Sequence, residues 1–120
     1  MTENDSILNT IKQLLNIETS DTDFDNDLVV CINTAFANLS QIGAGEDTGF
    51  AITGSSETWA SYLNGNLNLR NIITFIHLKV KLLFDPPTNS SVLQAYQNEL
   101  NELTWRINVA VETPRGANDQ

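Results

Sequence analysis

Apolar residues recur at intervals of three and four over four stretches of the chain, the spacing that places them on one face of a helix. In residues 5–16 they fall at Ile7, Leu8, Ile11, Leu14 and Leu15, which predicts a short amphipathic helix with Asp5 or Ser6 placed to cap its first turn. A polar connection from Asn16 to Thr22 leads to a second helix beginning near Asp23. Its apolar positions are Phe24, Leu28, Ile32, Ala35, Phe36, Leu39 and Ile42, with Val29, Val30 and Cys31 widening the buried face and Gly43 as the stop.

The third helix runs from about Asn68 to Phe84. Leu69, Ile72, Ile73, Phe75, Ile76, Leu78, Val80, Leu82, Leu83 and Phe84 leave it only a narrow polar stripe, so it is expected at the centre, covered on most sides. Asp85-Pro86-Pro87 ends it, because proline has no amide hydrogen and drives its predecessor out of the helical region. A fourth helix starts within Thr88-Asn89-Ser90-Ser91, where Ser91 and Gln94 have capping-box spacing, and continues to about Val111. Leu93, Tyr96, Leu100, Leu103, Ile107 and Ala110 give it a seam against the central helix, and Trp105 is read as a packing residue.

Between the second and third helices the periodicity fades. Five of the six glycines, at positions 43, 45, 49, 54 and 65, cluster here. Residues 43–66 are therefore expected to form a long loop, with a brief extended piece at Phe50 and Ile52 and a short helix within Glu57–Leu63 carrying Trp59 and Tyr62. Loops of this length in compact domains usually carry function, which makes Phe50, Ile52, Trp59 and Tyr62 candidate interface residues. A large aromatic there either pins the loop to the core or anchors a partner. The pattern predicts an all-α fold: a small bundle of about four main helices in a single domain over residues 1–111, followed by a flexible, polar C-terminal tail, 112–120.

Charge changes the picture more than composition does. Fifteen acids against six bases give a formal net charge of −9 over 120 residues, which argues against a protein that coats nucleic acid by neutralising phosphates. The six bases, Lys12, Arg70, Lys79, Lys81, Arg106 and Arg115, are scattered too widely for a basic stripe. The single cysteine, Cys31, forms no intrachain disulfide and offers no metal spacing, which suits a reducing compartment. With no signal-like start and no apolar run near the roughly 20 residues a membrane span needs, an unexported protein without membrane association is expected.

No pattern in the chain assembles a catalytic or cofactor-binding site. Asp21-Thr22-Asp23-Phe24-Asp25-Asn26-Asp27 imitates the start of a calcium loop, but Asn26 stands where that loop needs glycine and Ile32 where it needs glutamate. These acids are better read as favouring the positive end of the second helix, one of them as its cap. Gly43-Ala44-Gly45 with Gly49 has the wrong spacing for a phosphate loop and follows a helix, so it is read as a terminator and hinge. His77 sits near Arg70, Thr74 and Lys81 with no acid or second histidine beside it, which favours a surface or interface role over acid-base work. Cys31 reads as a buried small hydrophobe rather than a nucleophile. No serine stands in a nucleophile elbow, and the glycosylation triplets at Asn38 and Asn89 have no meaning in an unexported chain.

The order of the segments resembles the head-tail connector family of tailed bacteriophages, also called the adaptor or DNA-packaging family. The resemblance rests on Asp23-Phe24-Asp25-Asn26-Asp27, Leu39-Ser40-Gln41-Ile42-Gly43-Ala44-Gly45, Gly49-Phe50-Ala51-Ile52, Thr58-Trp59, Ile76 through Pro87, and Glu102-Leu103-Thr104-Trp105-Arg106-Ile107-Asn108-Val109, in that order from about Asp5 to Val111. It implies a structural subunit, not an enzyme, without cofactors. Such subunits form a closed ring of about a dozen copies through head-to-tail interfaces. The ring lies beneath the portal protein at the head-tail neck of the virion, extends the DNA channel and docks the stopper or tail-completion protein, after assembly in the host cytoplasm. DNA passes through without specific binding, and the acids Glu18, Asp21, Asp23, Asp25 and Asp27 are candidates to line or flank the lumen, where negative charge repels phosphates. The competing reading is an acidic DNA mimic or other small helical inhibitor that presents carboxylates to a basic partner.

Overall fold

A computed structural model describes residues 4–42, 50–62 and 68–112, with the side chains of the last helix described as far as Val109. Five helices follow one another: α1 Ile7–Leu14, α2 Asp25–Gln41, α3 Trp59–Tyr62, α4 Leu69–Phe84 and α5 Ser90–Glu112. There is no strand among the described residues, only an isolated antiparallel bridge between Ser6 and Thr58. The all-α bundle with four main helices follows the apolar spacing closely. The expected stop at Gly43, the hinge Gly43-Ala44-Gly45 with Gly49, the turn at Gly65 and the tail from Thr113 lie outside the described residues.

Helix α4 is central, as its nearly continuous apolar surface requires. It packs on α2, α5 and α1, and buries Ile72, Ile73, Phe75, Ile76, Leu78 and Val80. The facing residues are Leu28, Ile32, Ala35, Phe36 and Leu39 from α2, Ile7, Leu8 and Ile11 from α1, and Leu103 and Ile107 from α5. Along α5, the first half of the seam, Leu93, Tyr96 and Leu100, is only half-buried.

The ends are set by caps, and two differ from the sequence reading. Ser6 accepts a hydrogen bond from the Asn9 amide at 3.2 Å, and Asn68 does the same for Asn71 at 3.1 Å. At α5 the cap is Asn89, whose Oδ1 accepts from the Ser91 and Val92 amides at 2.8 and 3.2 Å, so Ser91 lies inside the helix rather than at its cap. At α2 no acid caps the helix: Phe24 occupies the N-cap without a side-chain bond, while Asp21 accepts from the Asp23 amide in a local turn. Asp25 and Asp27 still lie in the first turn, where negative charge is favoured.

Helix α1 ends in a Schellman arrangement. The Ile17 amide donates to Lys12 O at 2.8 Å and the Asn16 amide to Gln13 O at 3.1 Å. Asn16 takes φ 63°, a left-handed conformation that asparagine tolerates better than other residues with a Cβ.

Candidate functional site

The four candidate contact residues of the inter-helix segment converge inside the subunit. Ile52, Trp59 and Tyr62 are buried and Phe50 is half-buried. The three aromatics gather on Phe36 of α2, whose ring centroid lies 5.0 Å from Phe50, 6.4 Å from Trp59 and 4.6 Å from Tyr62. Most of these rings meet edge to face or tilted, the geometry that favours aromatic pairs. Of the two readings open for Trp59, the single chain realises the pin: its Nε1 donates to Thr10 Oγ1 at 3.1 Å, and Thr10 in turn donates to Ser6 O at 2.7 Å.

Hydrogen bonds tie the same segment at both ends. Asn33 Nδ2 donates to Ile52 O at 3.0 Å and Asn33 Oδ1 accepts from the Ile52 amide at 2.7 Å. Further on, the Ile7 amide donates to Glu57 O and the Trp59 amide to Asp5 O, closing the bridge to the start of α1. The Glu57 carboxylate accepts from the Thr53 amide and hydroxyl and from the Gly54 amide. Burial alone would raise this carboxyl, but the bonds from Thr53 and Gly54 outweigh it and hold the group below its ordinary value.

The five candidate acids divide. Glu18, Asp23 and Asp27 are exposed, and Asp21 is half-buried in its turn. Asp25 is committed inside the chain to Lys12, whose Nζ reaches its Oδ1 at 2.8 Å and Thr19 O at 3.1 Å. Lys12 is only 1% exposed. Its burial was not read from the sequence, although the signal was there: Lys12 stands four residues after Leu8, on the apolar face of α1, just before the acid-rich turn.

Trp105 departs from the sequence reading. It is 66% exposed rather than packed. Its place follows from α5 geometry, since Trp105 lies two residues from both Leu103 and Ile107, roughly 200° around a helix of 3.6 residues per turn. Val30, Leu83, Phe24, Val92 and Val109 join it as exposed large apolar side chains. A protein surface carries scattered apolar residues as a matter of course, but an exposed tryptophan is the side chain most enriched at protein contacts.

Groups with reactive potential are held quiet or stand apart. Cys31 is half-buried rather than buried, and burial first, then the Asp27 charge, push its thiol up and keep it protonated. His77 is half-buried, with its imidazole held below its ordinary value first by burial and then by Lys81. It lines a groove between α1, α4 and α5 together with Leu14, Arg70, Asn71, Thr74 and Arg106. Among the described residues no group of three His, Cys, Asp or Glu side chains gathers as metal ligands would, and no helix is long and apolar enough to cross a membrane.

What remains is a helical body around a buried apolar core, with exposed acids in the turn before α2 and an exposed tryptophan on α5. No curated protein and no solved structure matches the chain. A family model described as phage connector protein matches residues 7–114, from the first residue of α1 to two residues past the end of α5. With nearly all of its helical body matched, the chain belongs to the phage connector protein family.

Proposed function

We propose that this connector assembles with copies of itself into a closed ring of about a dozen subunits under the portal protein at the virion neck, where it extends the DNA channel and docks the stopper or tail-completion protein. The body of each subunit is residues 1–111, with 112–120 as its tail. The observation that carries the reading is Trp105, 66% exposed on a member of this family whose apolar core is already complete. An aromatic of that size left outside is suited to anchoring a partner surface. The exposed acids Glu18, Asp23 and Asp27, with Asp21, line or flank the lumen and repel the passing phosphates. Asp25, held by Lys12, fixes the shape of that turn. Phe50, Ile52, Trp59 and Tyr62 serve the contact surface by holding their segment rigid from inside.

The test is negative-stain microscopy of purified portal mixed with the chain. An added ring below the portal is the expected result, and its yield should fall with Trp105→Ala. Portal particles unchanged by the wild-type chain would sink the reading. A chain that instead binds a basic protein as a monomer and releases it at high salt would favour an acidic mimic.

A further inference from the structure

The groove between α1, α4 and α5 carries Arg70, His77 and Arg106 among its lining residues, and none of the described lining residues is an acid. Two of the six bases thus share one groove in a chain of net charge −9. The other four bases are differently placed: Lys12 is buried on Asp25, Lys79 is half-buried on α4 outside the groove lining, Lys81 pairs with Asp85, and Arg115 lies outside the described residues. Arg106 pairs with Glu102 one turn back along α5, an exposed pair of the kind that contributes little and exchanges readily.

The start of α2, with Asp23 and Asp27, lies toward the other end of α4 from the groove's Arg70. Phe24, between them in sequence, meets Phe84 edge to face at 5.6 Å, so the start of α2 sits beside the end of α4. Asn108 of α5 donates to Ile42 O at 3.1 Å, which places the far end of α2 beside the late turns of α5, where Arg106 lies. Arg70 is in the first turn of α4, about 21 Å from Phe84 along the axis at 1.5 Å per residue. Asp23 and Asp27, on either side of Phe24, therefore lie toward the opposite end of α4 from Arg70. Two complementary patches at separate places on one chain are what a head-to-tail interface requires, and a self-complementary pair does not.

Resting on the ring reading, we infer that the groove receives the start of α2 of a neighbouring copy, with Arg70 and Arg106 meeting its Asp23 and Asp27. Complementary charge at such a seam steers the approach of subunits and fixes their register. The start of α2 then borders the lumen on one side and its neighbour on the other.

The experiment exchanges the charges. One full-length variant carries Arg70→Glu with Arg106→Glu, the other Asp23→Lys with Asp27→Lys, and thermal melts establish that both fold. Self-association is followed by analytical ultracentrifugation at about 50 mM and about 500 mM salt, over which surface charge becomes screened. Wild-type association should weaken at the higher salt. Each variant alone should associate at least about tenfold more weakly than wild type, and an equimolar mixture of the two should recover, because each reversed groove then faces a reversed start of α2. Association unchanged by either reversal, a mixture no better than its components, or a wild-type chain with no salt-sensitive association would overturn the inference. Rings formed on the portal equally well by wild type and both variants would overturn it while leaving the ring reading intact. No ring from the wild type removes the ring reading itself.

Discussion

Asn33 holds Ile52 by both of its backbone polar groups, donating to the carbonyl and accepting from the amide as a neighbouring strand would. An α2 side chain thereby supplies the pairing that the segment after residue 50 finds in no sheet. Asn33→Ala should cost about 1–3 kcal/mol, because it leaves partly buried backbone groups unpaired. Urea unfolding measures that loss, and hydrogen exchange at the Ile52 amide should accelerate more than exchange in the middle of α4.

The Lys12–Asp25 pair should respond asymmetrically to mutation. Asp25→Ala leaves an ammonium that is only 1% exposed with Thr19 O as its remaining partner, a loss of about 3 kcal/mol or more. Lys12→Met leaves a carboxylate with some access to water and should cost about 1 kcal/mol. Equal losses in chemical denaturation would contradict this account of the pair.

Tyr62 is buried, and its hydroxyl has no hydrogen-bond partner among the described residues. Tyr62→Phe should therefore be neutral or stabilise by up to about 1 kcal/mol. Burial also pushes the phenol up to about 12. A raised value means that the folded state holds the proton more tightly, so this contribution is intact below about 10 and disappears as pH rises toward 12. The Phe variant should lack that part of the alkaline loss in a pH series of melts.

His77 predicts an acid-side effect. Its folded value is lowered, by burial and then by Lys81, so the unfolded chain binds the proton more readily. The contribution is present above the unfolded value of about 6.5 and is lost as pH falls through the folded one. His77→Gln should flatten the fall in melting temperature just below that pH, and an unchanged slope would show that other groups set it.

The two tryptophans should separate stability from assembly. Trp59→Ala opens a cavity in the core and should cost about 3–5 kcal/mol in unfolding. Trp105→Ala should stay within about 0.5 kcal/mol of wild type while lowering ring yield on the portal.

Periodicity made the helices legible because the core is built from i, i+3 and i+4 contacts around α4, and those spacings are written along each segment. Caps were legible only as a choice, as at α1, where Asp5 or Ser6 was available and Ser6 makes the bond. They were misread where several stood together, as at Asn89 and Ser91, because competing side chains can satisfy the same amides. In the inter-helix segment the short helix α3 was legible but its placement was not, because that comes from Asn33, Thr10 and Phe36, which are distant in sequence. The two readings of Trp59 stayed open because a loop position says nothing about depth, whereas the angular position of Trp105 on α5 contained the answer. The candidate acids could be counted from the sequence, but the withdrawal of Asp25 by Lys12 required the packing of α1 against α2.

The contrasting surroundings of Trp59 and Trp105 equip the chain with two optical reporters. The indole at position 59 should emit at short wavelength and resist iodide, whereas the one at 105 should emit further to the red and be quenched on collision. Unfolding would be followed through the first and the docking of a neighbour through the second, with no dye attached and no residue replaced.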